Sequence, residues 1–374
     1  MRKTWLTASA LALALGFTAP ASAEMTLKAA HYLSPKHPVG VGYEVFAKKL
    51  EEGTDGEIKL RIFPGQALLG AKAISDGIRD QVANVGFATW TYTPSYYPHG
   101  ILLNDLAMLG ENDMAAVFAI TELFTLHCKP CQAEFAKQNQ VFLTGMSTAP
   151  YVLVANTELN SAEKIKGKKL RAGGSLWDRF ASFVGGTGVN VPSAEIYESL
   201  SRGIIDAAIY AVGGLKSHGL ADVASNVVLL NLGSFRAGSL YSFNKDTWKE
   251  MTPDQRKVAY KAASAAVVRT TVEYHKADEE AVELAKEKKI PILDPDPSLV
   301  KAKADFVEHD QPFVLKNAKE KLGIADPTAF VDKYKELLGK YEKLVGPIEG
   351  DQDKLAALLY DEVFAKLGDD YGVK

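Results

Sequence analysis

The sequence predicts an α/β protein of two lobes, and three observations predict it. Strand-like segments alternate with helical ones in two successive series. The 374 residues exceed one typical domain and suit two. One helical segment past the middle of the chain is too long for a single lobe.

The first series opens at Leu27–Leu33, which reads as a strand. Pro38 starts an amphipathic helix carrying Val41, Val45 and Leu50, with Gly53 as its stop. Ile58, Leu60 and Ile62 alternate with Lys59 and Arg61, the period of a strand with one buried face, and Pro64-Gly65 ends it. A short helix at Ala71–Arg79 and a strand at Asn84–Thr89 follow, which implies a largely parallel sheet. After a helical stretch at Asp113–His127 the second series gives strands at Val141–Leu143, Tyr151–Ala155 and Lys169–Ala172. Helices at Ser175–Phe183 and Glu195–Arg202 come next, then a strand at Ile204–Tyr210. Thr252-Pro253-Asp254-Gln255 is a capping-box start with Pro at the first helical position. Helix-compatible sequence runs on to Lys288, about 50 Å at 1.5 Å per residue, enough to lie across both lobes. Two consecutive helices with an unmarked break satisfy the same pattern.

The N-terminus carries Arg2 and Lys3, an apolar run Leu6–Phe17 and the small residues Ala21-Ser22-Ala23, the pattern of a signal peptide cleaved after Ala23. The run is too short to span a bilayer, and no other stretch reaches the required length. The division that follows is a signal peptide at 1–23 and lobe I at 24–148 with about 236–265. Lobe II takes 149–235 with about 266–340, and 341–374 form a C-terminal helical extension. The net charge is −3 with both signs interspersed. No basic stripe indicates nucleic acid, so an anionic ligand has to be caught by a local site.

Five segments in order carry a resemblance. They are Phe63-Pro64-Gly65-Gln66-Ala67-Leu68, Ile165-Lys166-Gly167-Lys168-Lys169-Leu170-Arg171, Glu195-Ile196-Tyr197-Glu198-Ser199-Leu200, Arg202-Gly203-Ile204-Ile205-Asp206 and Phe243-Asn244-Lys245-Asp246-Thr247-Trp248. From about Thr26 to Ala285 the chain resembles the extracytoplasmic solute-binding subunit of tripartite ATP-independent periplasmic (TRAP) transporters, the dicarboxylate-binding-protein-like family. The part after Pro291 matches least. The resemblance implies a two-lobe periplasmic binding protein of the type II-like kind, with hinge strands and a ligand held between the lobes. It also implies a periplasmic location, two integral-membrane permease subunits as partners, and an ion gradient as the energy source. No cofactor, metal or catalytic residue is implied.

In this family the arginine ending the Gly-x-x-x-Arg strand holds the ligand carboxylate, and that position here is Arg171. The physics agrees: a guanidinium is a planar fork that stays charged and matches a carboxylate bidentately, and Gly173-Gly174 keeps the following turn low in bulk. A surface arginine beside Lys168 and Lys169 is the bland alternative. Relatives that take dicarboxylates often carry a second arginine about twenty residues earlier, where this chain has Tyr151. Where some place an asparagine, it has Tyr210. One cationic anchor among phenols suits a monoanion, such as a monocarboxylate, keto acid, aromatic acid or sulfonate, better than a dianion. Thr89, Trp90, Gly174, Ser193 and His37 complete the residues expected around the ligand. Trp90 serves equally as lobe packing and His37 as a loop residue at a helix start. Tyr92, Tyr96 and Tyr97 either line the cleft mouth or cover a sheet edge.

Cys128 and Cys131 are open to three readings: a disulfide staple, a thioredoxin-like redox pair, or, with His127, part of a metal site. Enzyme signatures are incomplete. Gly145-Met146-Ser147-Thr148-Ala149 lacks the closing glycine of a nucleophile elbow, and Val45 replaces the last glycine of a dinucleotide fingerprint. The alternatives to TRAP-type capture are a binding protein serving another transporter or receptor, and a secreted redox protein built on Cys128 and Cys131.

Overall fold

Strand Met25–Ala30 lies between Ile58–Phe63 and Val85–Thr89 and is parallel to both. Gly238–Asn244 comes next, antiparallel to Val85–Thr89 and to the edge strand Gln140–Phe142. The second sheet runs Ile292–Leu293, Asn226–Val228, Tyr151–Ala155, Ala207–Ala211, Lys169–Ala172, Thr187–Asn190. Tyr151–Ala155 is antiparallel to both of its neighbours there. These positions come from a computed structural model that describes residues 24–374. The expected leader and its cleavage after Ala23 lie outside the described residues.

Both sheets are mixed, which corrects the expectation of a largely parallel sheet. The reversed strands are the ones the chain uses to change lobes, so they run against strands connected by helical crossovers. The two crossing segments pair with each other. Tyr151 N–H donates to Gly233 O at 2.8 Å, Thr148 N–H to Phe235 O at 3.1 Å, and Pro150 bridges Ser234. Gly233 has φ +76°, and a Cβ there would sit 2.3 Å from Ala107 O, so only glycine fits the turn.

The long helix is one piece, Pro253–Glu287, 35 residues, and begins at the expected capping box of Thr252 and Gln255. It packs along the opening helix Pro38–Gly53 through small groups, with Gly42 against Thr270. Asp113–His127 is α-helical to Glu122 and π-helical from Leu123. Thr187–Asn190, an edge strand of sequence Thr-Gly-Val-Asn, has no apolar alternation to announce it.

The C-terminal third departs from the expected division. Helix Pro297–Glu320 sets Phe306 against Phe180 and Phe183 of lobe II. Helix Pro327–Val345 packs instead on Asp113–Glu122 of lobe I, with Tyr341 edge-on to Phe118 at 5.5 Å. Residues 327–340 therefore sit on lobe I, and the boundary expected at 341 falls inside a helix. Its apolar stripe of Phe330, Val331, Tyr334, Leu337 and Leu338 finds its partner across the fold. The remaining tail returns to lobe I, where Phe364 stacks on Tyr260 at 4.9 Å and Trp248 Nε1 donates to Tyr371 O at 2.9 Å.

Cys128 and Cys131 are bonded to each other with Cα atoms 5.2 Å apart, and both are buried. Cys128 also caps helix Lys129–Lys137 by accepting from Cys131 N–H. The histidine beside the pair is His99, held by Glu134 at 2.5 Å, whereas His127 turns to Glu122 at 3.0 Å. The closed loop is short, so the chain-entropy contribution is about 2 kcal/mol. A Cys128→Ser/Cys131→Ser variant should lose about that much stability in denaturant titration and keep its circular-dichroism spectrum. Loss of the native spectrum in dilute buffer would show that the bond does more than staple one turn.

Candidate functional site

Strand Lys169–Ala172 pairs on both sides, Arg171 lying opposite Val189 and Ala208. Successive side chains take opposite faces: Leu170 enters the lobe core and Arg171 turns to the space between the lobes. Arg171 is 2% exposed. Its Nε donates to Val191 O at 2.9 Å and its Nη1 to Ile209 O at 3.2 Å. The guanidinium carbon stands 5.6 Å from the centre of the Tyr210 ring. Among the described residues no carboxylate pairs with it.

The cavity it faces is a narrow space between the lobes. Lobe I contributes Tyr32, Leu33, Phe87 and Tyr92, and lobe II contributes Tyr151, Arg171, Ser193 and Tyr210. Met146, Thr148 and Phe235 come from the crossing segments and Tyr274 from the long helix. The rings brace one another: Tyr151 lies 5.2 Å from Tyr210 and 4.9 Å from Trp177, and Tyr32 stacks on Phe87 at 5.4 Å. Burial pushes the hydroxyls of Tyr32, Tyr151, Tyr210 and Tyr274 up, so they stay protonated and can donate. His218, behind Tyr210, is brought down to about 4 by burial and by Arg171, so it is neutral. The lining thus carries one fixed positive charge, several hydroxyl donors and no acidic group.

The expected site residues divide. Arg171, Tyr151, Tyr210 and Ser193 meet at the cavity. Ser193 N–H donates to Tyr92 Oη at 2.9 Å, joining lobe II to lobe I. Thr89 stands behind the wall, its hydroxyl bonded to Tyr32 Oη at 2.8 Å. His37 caps the opening helix, accepting from Val39 N–H at 3.2 Å, with its ring 5.5 Å from Tyr274 and 5.4 Å from His218. It supports the wall and does not line it. Trp90 is no part of the cavity: its indole is fully buried in lobe I, stacked on Phe124 at 5.0 Å. Neighbouring residues leaving a strand point to opposite sides, so Thr89 facing the cleft sends Trp90 into the core. Gly174 meets the other lobe: an added Cβ would lie 2.8 Å from Asn104 Nδ2 and 3.0 Å from Thr91 Cγ2.

Of the tyrosine cluster only Tyr92 reaches the cavity. Tyr96 donates to Asp76 and Tyr97 to Gln140. Tyr32, Phe87, Phe235 and Tyr274 were not foreseen. Tyr32 follows a strand end and could have been found by that position, but the facing of Tyr274 on a 35-residue helix is set by packing alone. Two other arginines are bound elsewhere, Arg179 by Asp105 and Asp310, and Arg236 by the carbonyls of Leu109 and Gly110.

Comparison with known proteins places this geometry. The C4-dicarboxylate-binding periplasmic protein DctP of Rhodobacter capsulatus is 24% identical over 264 residues, 68% of this chain and 75% of that protein. A marine-metagenome TRAP solute-binding protein specific for aromatic acid ligands, solved with 3-hydroxybenzoate, superposes with a TM-score of 0.76 at 21% identity, covering 86% of this chain and 100% of that one. A TRAP solute-binding protein from Rhodoferax ferrireducens T118, solved with copurified benzoate, has a TM-score of 0.76 at 19% identity over 86% and 99% of the two chains. The profile of the bacterial extracellular solute-binding proteins, family 7 (DctP), matches residues 29–320, strands of both lobes and the arginine strand included. The chain belongs to that family of TRAP solute-binding proteins.

Proposed function

We propose that the protein captures a small monocarboxylate in the periplasm and hands it to the integral-membrane subunits of a TRAP transporter, without changing it chemically. The observation that carries this reading is Arg171, a buried guanidinium that lines the cavity between the lobes and has no acidic partner among the described residues. A carboxylate entering there gains a charged, hydrogen-bonding partner in place of its water, which offsets the cost of its desolvation.

The rest of the lining bears on ligand class. A C4-dicarboxylate would bring a second charge, and its far end would meet Phe87, Phe235 and phenols with no second cation among the lining residues. A ring or short apolar body would instead pack between Tyr151, Tyr210 and Phe235. A single-ring acid matches that lining of one cation and several aromatic rings. The aromatic acids bound by two of the structural neighbours are of this kind.

Native mass spectrometry of protein isolated from periplasm should show one bound acid. Calorimetry should then rank benzoate or pyruvate above succinate. A clear preference for succinate would overturn the monoanion reading. Arg171→Ala should lose about 2–5 kcal/mol of binding, roughly 30-fold to several-thousand-fold in Kd. Arg171→Lys keeps the charge without the fork and should fall between the two. Unchanged affinity in Arg171→Ala would remove the anchor from the proposal.

A further inference from the structure

The helix Ser175–Phe183 begins four residues after Arg171, and its first turn is built against the other lobe. Its N-cap is Gly174, and no side chain of its own caps it. Asp105 of lobe I meets its first turn through side chains. Ser175 Oγ donates to Asp105 Oδ1 at 2.6 Å, and Arg179 Nη1 donates to the same oxygen at 3.2 Å. The carboxylate also complements the positive end of the helix. Arg179 is held in place from its own side, Nε and Nη2 each donating at 2.7 Å to Asp310. Asp310 stands on Pro297–Glu320, which is fixed to lobe II by Asp296 N–H on Asn160 O at 2.7 Å and by Phe306. The Asp105 side chain is 1% exposed, so its charge is carried almost wholly by this contact. Beside it Gly174 approaches Asn104 and Thr91 too closely for any side chain.

We propose that this helix start is a docking element: Gly174, Ser175 and Arg179 seat on Asp105 and Asn104 and thereby hold the lobes at the closed angle that brings Arg171 to the cavity. Arg179 and Gly174 are positioning residues that act through the lobe geometry and touch no ligand. The inference rests on the reading that ligand is held between the two lobes. It separates two demands usually met together, since Arg171 recognises the anion and the neighbouring turn holds the lobes shut around it. The electrostatics give the element a signature. With Arg179 removed, closing buries Asp105 without a cation, which is costly, whereas removing both charges is far less so.

The test reads closed-state lifetime by single-molecule energy transfer between dyes on Lys72→Cys and Ser182→Cys, with the native disulfide intact. Closure is driven either by benzoate or, free of any assumption about ligand, by a dextran too large to enter the cleft. Gly174→Ala and Arg179→Ala should each shorten the closed lifetime at least about tenfold, and melting of ligand-free Gly174→Ala should stay near the parent. Adding Asp105→Asn to Arg179→Ala should restore part of the lifetime, a recovery that a purely structural role for Arg179 would not produce. Should Arg179→Ala fail to fold, Gly174→Ala alone decides, because its added methyl clashes only across the cleft. Closed lifetimes within twofold of the parent, or a parent that never reaches the closed distance, would overturn the assignment. Failure of benzoate to bind the parent would count against the ligand reading alone, since the dextran arm still measures docking.

Discussion

A guanidinium buried in an aromatic cavity loses hydration that two carbonyl oxygens only partly replace. Arg171 is in that position, with Val191 O and Ile209 O as its hydrogen-bond acceptors and the face of Tyr210 beside it. Those contacts fix the direction of the fork and leave its charge uncompensated. In the function proposed above, a ligand anion supplies the balancing charge. Buried phenols remain protonated, so none of them supplies a negative charge, and His218 remains neutral, so it adds no second positive one.

The other buried arginines make the contrast clear. Arg179 is neutralised by two carboxylates. Arg256 caps the carbonyls of Met251 and Asp369, and Arg236 those of Leu109 and Gly110. Each of these ties two parts of the chain together, although Arg236 Nε is left without a partner. Burial alone does not set Arg171 apart. What distinguishes it is that it lines the cavity between the lobes, which none of the other three does.

Much of the fold was legible because local patterns there agree with the tertiary result. Lys169–Ala172, Tyr151–Ala155 and Ser175–Phe183 were expected with the bounds they have, since turn residues bracket each of them. Thr252 and Gln255 announced the long helix by capping chemistry that needs no tertiary context. At the site, family register points to Arg171, Tyr151 and Tyr210, all on strands. Trp90, open in the sequence to either cleft or lobe packing, takes the packing role because adjacent strand positions face opposite sides. Tyr274 was invisible for a related reason: many positions of a 35-residue helix are apolar or aromatic, and only packing shows which one meets the ligand space. The sheets were called too parallel because sequence shows alternation of elements and not the direction in which a strand enters its sheet.

The helical layer that matched the family pattern least bears directly on how the lobes are joined. Tyr334 stands on Pro327–Val345, and its hydroxyl accepts from Arg236 Nη1 at 3.0 Å. Arg236 belongs to the segment returning from lobe II, and its own N–H donates to Asn104 Oδ1 of lobe I at 3.3 Å. Gly233, three residues earlier, is pressed against Ala107. The returning segment is thus bound to lobe I and its C-terminal layer through several contacts before it pairs with Thr148 and Tyr151. On the lobe II side of that line, Trp177 Nε1 donates to Leu232 O at 2.9 Å, so the helix following Arg171 is tied to the same crossing. The lobes are also joined by the long helix Pro253–Glu287, which packs on Pro38–Gly53 of lobe I and on Gly214–Ser217 of lobe II. A rotation between the lobes therefore has to be shared by Ala149-Pro150, Leu232–Ser234 and that helix, and at Pro150 there is no N–H to add to the ladder.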